Sequence, residues 1–115
     1  MTPSPRDATA RHGGTARHEV PEIDAAALAA ARWADRLLAA TEAVGADRWR
    51  RFLAPIPDRL RDEPPAVLQA TALRARAAYG PKDSIRDALP DELTLPFRDA
   101  IDVLLRTLAV QERRG

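Results

Sequence analysis

The sequence predicts an all-α fold: a small antiparallel bundle of three to five helices whose second helix is kinked by prolines. Three observations lead there. Apolar residues recur at helical spacing along most of the chain after residue 20. No stretch alternates apolar and polar residues as a half-buried strand does, and no Asn-Gly or Asp-Gly hairpin turn is present. Hydrophobic residues make up 45% of the 115 residues but aromatics only 4%, so the core must be built mainly from Ala, Leu, Val and Ile. A chain of this length fits one domain.

Residues 1–20, MTPSPRDATARHGGTARHEV, carry almost nothing apolar and are expected to form a disordered tail. Residues 21–112 are expected to form the single folded domain. Pro21 with Glu22 and Asp24 suits a helix N-terminus. Ile23, Ala27, Ala30, Ala34, Leu37, Leu38, Thr41 and Val44 then share one face, and Gly45 is the stop.

Trp49, Phe52, Leu53, Ile56 and Leu60 continue a single apolar stripe across Pro55 and Pro57. A proline removes a helical hydrogen bond and crowds the preceding turn. The prediction is a short helix near 46–54, a kink and a helical turn near 57–62, both facing one core. The third helix is expected over roughly 65–79, opened by Pro64 and Pro65. It buries Val67 or Leu68, then Thr71, Ala72, Ala75, Ala78 and Tyr79, while Arg74 and Arg76 face water. Gly80-Pro81 supplies the turn that ends it.

Ser84 is a candidate cap for a short helical piece with Ile85 and Leu89 inward. Thr94 is a plausible N-cap for the last helix, with Asp91 and a kink as the alternative start. Phe97, Ile101, Leu104, Leu105 and Leu108 form its stripe. Arg98–Asp102 and Asp102–Arg106 have the spacing of i,i+4 ion pairs, worth about 0.3 kcal/mol each. Residues 111–115 are expected to fray.

Composition narrows the chemistry. There is no cysteine, so disulfides, thiol catalysis and cysteine-based zinc sites are excluded. Both histidines, His12 and His18, lie in the tail, leaving the domain without a histidine to act as base or ligand. Ser84 is the domain's one serine. Carboxylate pairs such as Asp58 with Asp62, or Asp91 with Glu92, lack the spacing of a di-metal site. No phosphate-binding glycine motif is present. The expectation is therefore no catalytic residues, no metal, no cofactor and no small-molecule substrate.

The net charge is +1, from 18 basic and 17 acidic side chains. Residues 46–63 carry five arginines against four acids, too even a balance for a face that tracks phosphates. The prolines also interrupt the best helix-turn-helix candidate. Nucleic-acid binding is accordingly disfavoured. No apolar run approaches the ~18 residues of a membrane span, and the first residues lack a secretory apolar region. A cytoplasmic location is expected.

Protein–protein binding remains, because Trp and Arg concentrate at interface hot spots. Trp33 lies beside the main stripe of the first helix between Arg32 and Arg36, and Trp49 heads the second stripe next to Arg50. These five residues are the candidate partner-binding set. Core packing is the competing role for both tryptophans. The partner is expected to be another protein or a second copy of the chain; a small DNA-binding regulator and a homodimeric structural bundle are the alternative readings.

From Trp49 to Leu108, about half the chain, the order of features resembles the CATRA-associated small proteins of bacterial conflict systems. The features are Trp49 with the spaced Leu53 and Leu60, the Leu68 helix ending at Tyr79-Gly80-Pro81, then Arg86. A link bearing Pro90 and Pro96 leads to Ile101 and Leu104-Leu105-Arg106-Thr107-Leu108. The resemblance implies a non-enzymatic accessory or adaptor and no catalytic residues.

Overall fold

The structure, a computed structural model, describes residues 20–114, and within them there are helices and no strands. Most of the expected tail, residues 1–19, lies outside the described residues, along with the histidine pair. The order is α1 (Pro21–Val44), α2 (Asp47–Leu53), α3 (Ile56–Asp62), α4 (Pro65–Arg76), a 3-10 turn (Ala77–Tyr79), α5 (Ile85–Ala88) and α6 (Asp91–Arg114). This is the all-α bundle that the periodicity predicts.

Pro21 stands in the first turn of α1 with Glu22 and Asp24 beside it. Val20, counted with the tail on sequence, is buried and its carbonyl accepts from Ile23 N at 3.0 Å, so the fold begins one residue earlier than expected. Gly45 ends the helix at φ 71, the left-handed conformation that costs glycine least. The buried Thr41 hydroxyl donates to the Leu38 carbonyl at 2.6 Å, which satisfies it inside the core. Val44 was expected on the core face but is 63% exposed, because it lies in the last turn, past the end of the buried row.

Pro55 separates α2 from α3, and Leu53 before the break and Ile56 and Leu60 after it are all buried in the same core. The apolar phase therefore does survive the kink. Arg61 of α3 forks onto the Asp35 carboxylate of α1, tying the kinked segment to the long helix. Pro64 is extended and Pro65 opens α4, whose buried row is Leu68, Thr71, Ala72 and Ala75. Thr71 donates to the Glu63 carboxylate, linking α4 to the residue just after α3. Of the two candidates at its start, Leu68 is inside and Val67 is 45% exposed.

Four local expectations need correction. Gly80 is extended, at φ −66 and ψ 170, so the turn does not depend on glycine there; the left-handed residue of that loop is Asp83, at φ 54. Helix α6 takes the alternative start at Asp91 rather than the Thr94 cap, so Pro96 lies inside it, and Thr94 N–H bonds to the Pro90 carbonyl at 3.1 Å. The acids Asp91 and Glu92 in its first turn favour that earlier start. The helix continues through Arg114 instead of fraying from residue 111. Asp102 accepts from Arg76 of α4 at 2.9 Å, so it cross-links two helices instead of pairing along its own. Ser84 does cap α5, accepting from Arg86 N at 3.1 Å, with Ile85 and Leu89 buried.

α1 packs chiefly on α6 and α3, and α6 also covers α4. The starts of α1 and α4, at Ile23, Pro65 and Ala66, line the same hollow as Leu108 and Gln111 near the end of α6. α6 therefore runs antiparallel to both. Ile23, Ala27, Ala30, Ala34 and Leu37 form the floor, and Phe97, Ile101, Leu104 and Leu108 press into it, with Phe97 the largest fully buried side chain. The alanines between Ile23 and Leu37 let α6 approach closely at the middle of α1, where the large side chains come from α6. No helix among the described residues is long and apolar enough to cross a membrane.

Candidate functional site

Trp49 and Phe52 sit three residues apart on α2 and so share a face. Their rings meet edge to face, centroids 5.5 Å apart and planes at 80°. Both are half-buried, with one side against the core. Arg48 places its guanidinium 5.0 Å from the Trp49 ring centroid, and Arg74 reaches over from α4 to lie 5.3 Å from that of Phe52. The result is a ladder in the order Arg48, Trp49, Phe52, Arg74 that joins α2 to α4. Cation–π contacts at exposed sites are worth about 0.5–1 kcal/mol, and the aromatic pair adds a similar amount. The ladder is thus pre-ordered, with flat rings flanked by guanidinium donors.

Beside it lies the outer face of α4. Ala66, Ala70 and Leu73 on α4 are exposed and spaced i, i+4, i+7, and Ala77, exposed in the 3-10 turn that follows directly, extends the row. Leu73 is 53% exposed and Val67 flanks the row. Two arginines border the row: Arg74, whose guanidinium is drawn aside onto Phe52, and Arg76, whose guanidinium is drawn to Asp102 on α6. Helix α4 spans about 18 Å at the usual rise, so the row is long enough to receive several turns of another helix. The exposed side of α6 differs: Val103 and Val110 are interspersed with Asp99, Arg106 and Glu112.

The five residues expected to bind a partner are not gathered in one place. Trp33 is half-buried against the core, and Arg36 lies 4.5 Å over its ring, forming a separate pair on α1. Arg32 is exposed on the same helix. Trp49 belongs to the ladder. Arg50 is exposed and sits 3.7 Å from Asp47, a contact along α2 alone. Sequence reasoning gave Leu73 no role, set Arg74 in water and counted Phe52 with the core stripe, so none of the three was a candidate. Leu73 carried a usable signal, since it is a leucine off the Leu68, Thr71, Ala72, Ala75 row. Arg74 carried none, because its partner ring is on another helix.

Among the described residues, no group of three or more His, Cys, Asp or Glu side chains is placed to hold a metal ion. Comparison of the chain with protein-family models, curated proteins and solved structures finds no match.

Proposed function

We propose that this chain is a non-enzymatic interaction module, an accessory or adaptor, that receives a helix of another protein along α4 and the adjoining ladder. The observation that carries the reading is the exposed row Ala66, Ala70, Leu73, Ala77, uncharged along its length and bordered by ordered aromatic rings. Large apolar surfaces left in water mark interaction sites, and Trp and Arg dominate their energetics. Arg48 and Arg74 at the border favour a partner whose apolar stripe is flanked by carboxylates. A second copy of the chain would bring the same arginines against one another, which disfavours self-pairing on this face. The resemblance to CATRA-associated small proteins supplies the setting, a bacterial multi-protein conflict system in the cytoplasm.

Site-specific photo-cross-linking in cells tests this. A benzophenone side chain at position 73 is expected to give one discrete heavier adduct, and the same group at position 106 on exposed α6 is expected to give none. Equal labelling from both positions, or none from position 73, removes the basis for the reading. An adduct of twice the chain mass would instead identify self-association.

A further inference from the structure

Where the loop after α4 meets the start of α6 lies an open cleft of about 460 Å³. Arg76, Arg86 and Arg98 line it, one from each of α4, α5 and α6, together with Tyr79 and Ser84. The acids that share the lining are Asp87 and Asp91.

The three guanidiniums are not equally engaged. Arg86 forks onto Asp91, Nε to Oδ1 at 3.2 Å and Nη2 to Oδ2 at 3.3 Å, so each largely satisfies the other. Arg76 donates its Nε to Asp102 at 2.9 Å, which leaves the terminal nitrogens of the fork. Arg98 has only a 3.4 Å contact to the neighbouring Asp99, at the long end of hydrogen-bond range. Tyr79 stands between them: its hydroxyl donates to the Thr94 carbonyl, and Arg76 lies 5.5 Å over its ring. Ser84 accepts from Arg86 N, so its own proton is available to donate.

We propose that this cleft binds an oxyanion, the phosphate or carboxylate head of a small molecule, through Arg76, Arg98 and Ser84. Guanidinium forks match the oxygen spacing of both groups. Asp91 and Asp102 are already occupied by Arg86 and Arg76, and the three arginines outnumber the two lining acids, Asp87 and Asp91, so the cleft keeps a positive balance for an incoming anion. The volume falls within the range of small-molecule pockets and exceeds what a bare ion fills. The expectation of no small-molecule substrate rested on the missing catalytic residue types and glycine motif; only the fold brings these arginines to one cleft. The site shares no residue with the α4 row or the aromatic ladder, so it stands apart from the interaction reading.

Titration of the ¹⁵N-labelled full chain with phenyl phosphate and, separately, with benzoate tests the proposal, with chloride at matched ionic strength as reference. The arginine Nε–Hε resonances are the readout. Saturable shifts at Arg76 and Arg98 are expected, with Kd on the order of millimolar. Saturation by phenyl phosphate alone assigns a phosphate head, by benzoate alone a carboxylate head, and by both the shared oxyanion chemistry. Arg98→Gln should weaken binding at least tenfold, Arg98→Lys less, and Arg106→Gln not at all. Shifts that stay linear over all arginines, or an unchanged Kd in Arg98→Gln, overturn it.

Discussion

Tyr79 is the chain's one tyrosine, and its hydroxyl is tied to the Thr94 carbonyl of α6. Burial is the largest influence on the phenol and raises its pKa above the ordinary 10.0, against the smaller lowering effect of Arg98 and Arg76. The folded state therefore favours the neutral form. Its stabilising effect is complete below pH 10 and is lost as pH rises from there toward the raised folded value. Linkage allows at most about 1.4 kcal/mol per pH unit over that window. The ring is only partly buried, so solvent screening reduces this to roughly 0.5–1 kcal/mol between pH 10 and 11. For a domain of this size the corresponding drop in Tm is about 3–6 °C. With one tyrosine, one lysine and no cysteine, few other side chains titrate in that range. Phenolate absorbance gives the titration directly, and circular dichroism melts at pH 9 and 11 give the stability. Tyr79→Phe should cost about 1 kcal/mol at neutral pH through the lost hydrogen bond, and should abolish the alkaline drop. A folded-state titration at 10, or an equal drop in Tyr79→Phe, would refute the clamp between Tyr79 and α6.

The Thr94 hydroxyl is fully buried with no hydrogen-bond partner. Thr94→Val, which keeps the branched shape, should therefore stabilise the domain by about 1 kcal/mol in urea unfolding; a loss of similar size would mean that the hydroxyl is partnered. The two interhelical glycines should respond oppositely to alanine. Gly45→Ala should destabilise by about 1 kcal/mol, because its φ of 71 strains a Cβ. Gly80→Ala should be neutral or stabilising by up to about 0.5 kcal/mol, because its backbone is extended and an added methyl meets only atoms 3.8 Å away. Thermal melts of the two variants check the pair.

Much of the fold is legible in the sequence because local rules and burial agree. Ile23, Ala27, Ala30, Ala34, Leu37 and Thr41, then Phe97, Ile101, Leu104 and Leu108, and the unbroken phase of Leu53, Ile56 and Leu60 read correctly from spacing, whereas Leu38 and Leu105 are only half-buried and the buried Ala26 and Ala31 were missed. The errors fall where neighbouring choices are close in energy. Val67 and Leu68 are adjacent and both apolar, so only the packed helix decides which turns inward. Thr94 has the chemistry of a cap, yet the acids at Asp91 and Glu92 favour a start one turn earlier. Asp102 has arginines at both helical spacings, but Arg76 reaches it from α4. The candidate surface was the least legible part. The phase of Trp49 and Phe52 marked them as core, and in the fold they lie at its edge, where Arg74 can cover one ring. Nothing local in the sequence encodes a contact between residues that far apart.

The central claim, that the outer face of α4 is a docking surface, is tested most directly at Leu73. With a cross-linker at position 70 reporting on the complex, Leu73→Glu places a charge in the middle of the apolar row and beside a partner proposed to be acidic. Leu73 is exposed, so folding stability should change by less than about 0.5 kcal/mol. Loss of a central hot spot is worth at least about 2 kcal/mol, roughly a thirtyfold fall in affinity. The predicted result is loss of the cross-linked adduct with an unchanged melt, while Val103→Glu on α6 leaves the adduct intact. An adduct that survives Leu73→Glu, or is lost equally in Val103→Glu, would contradict the account.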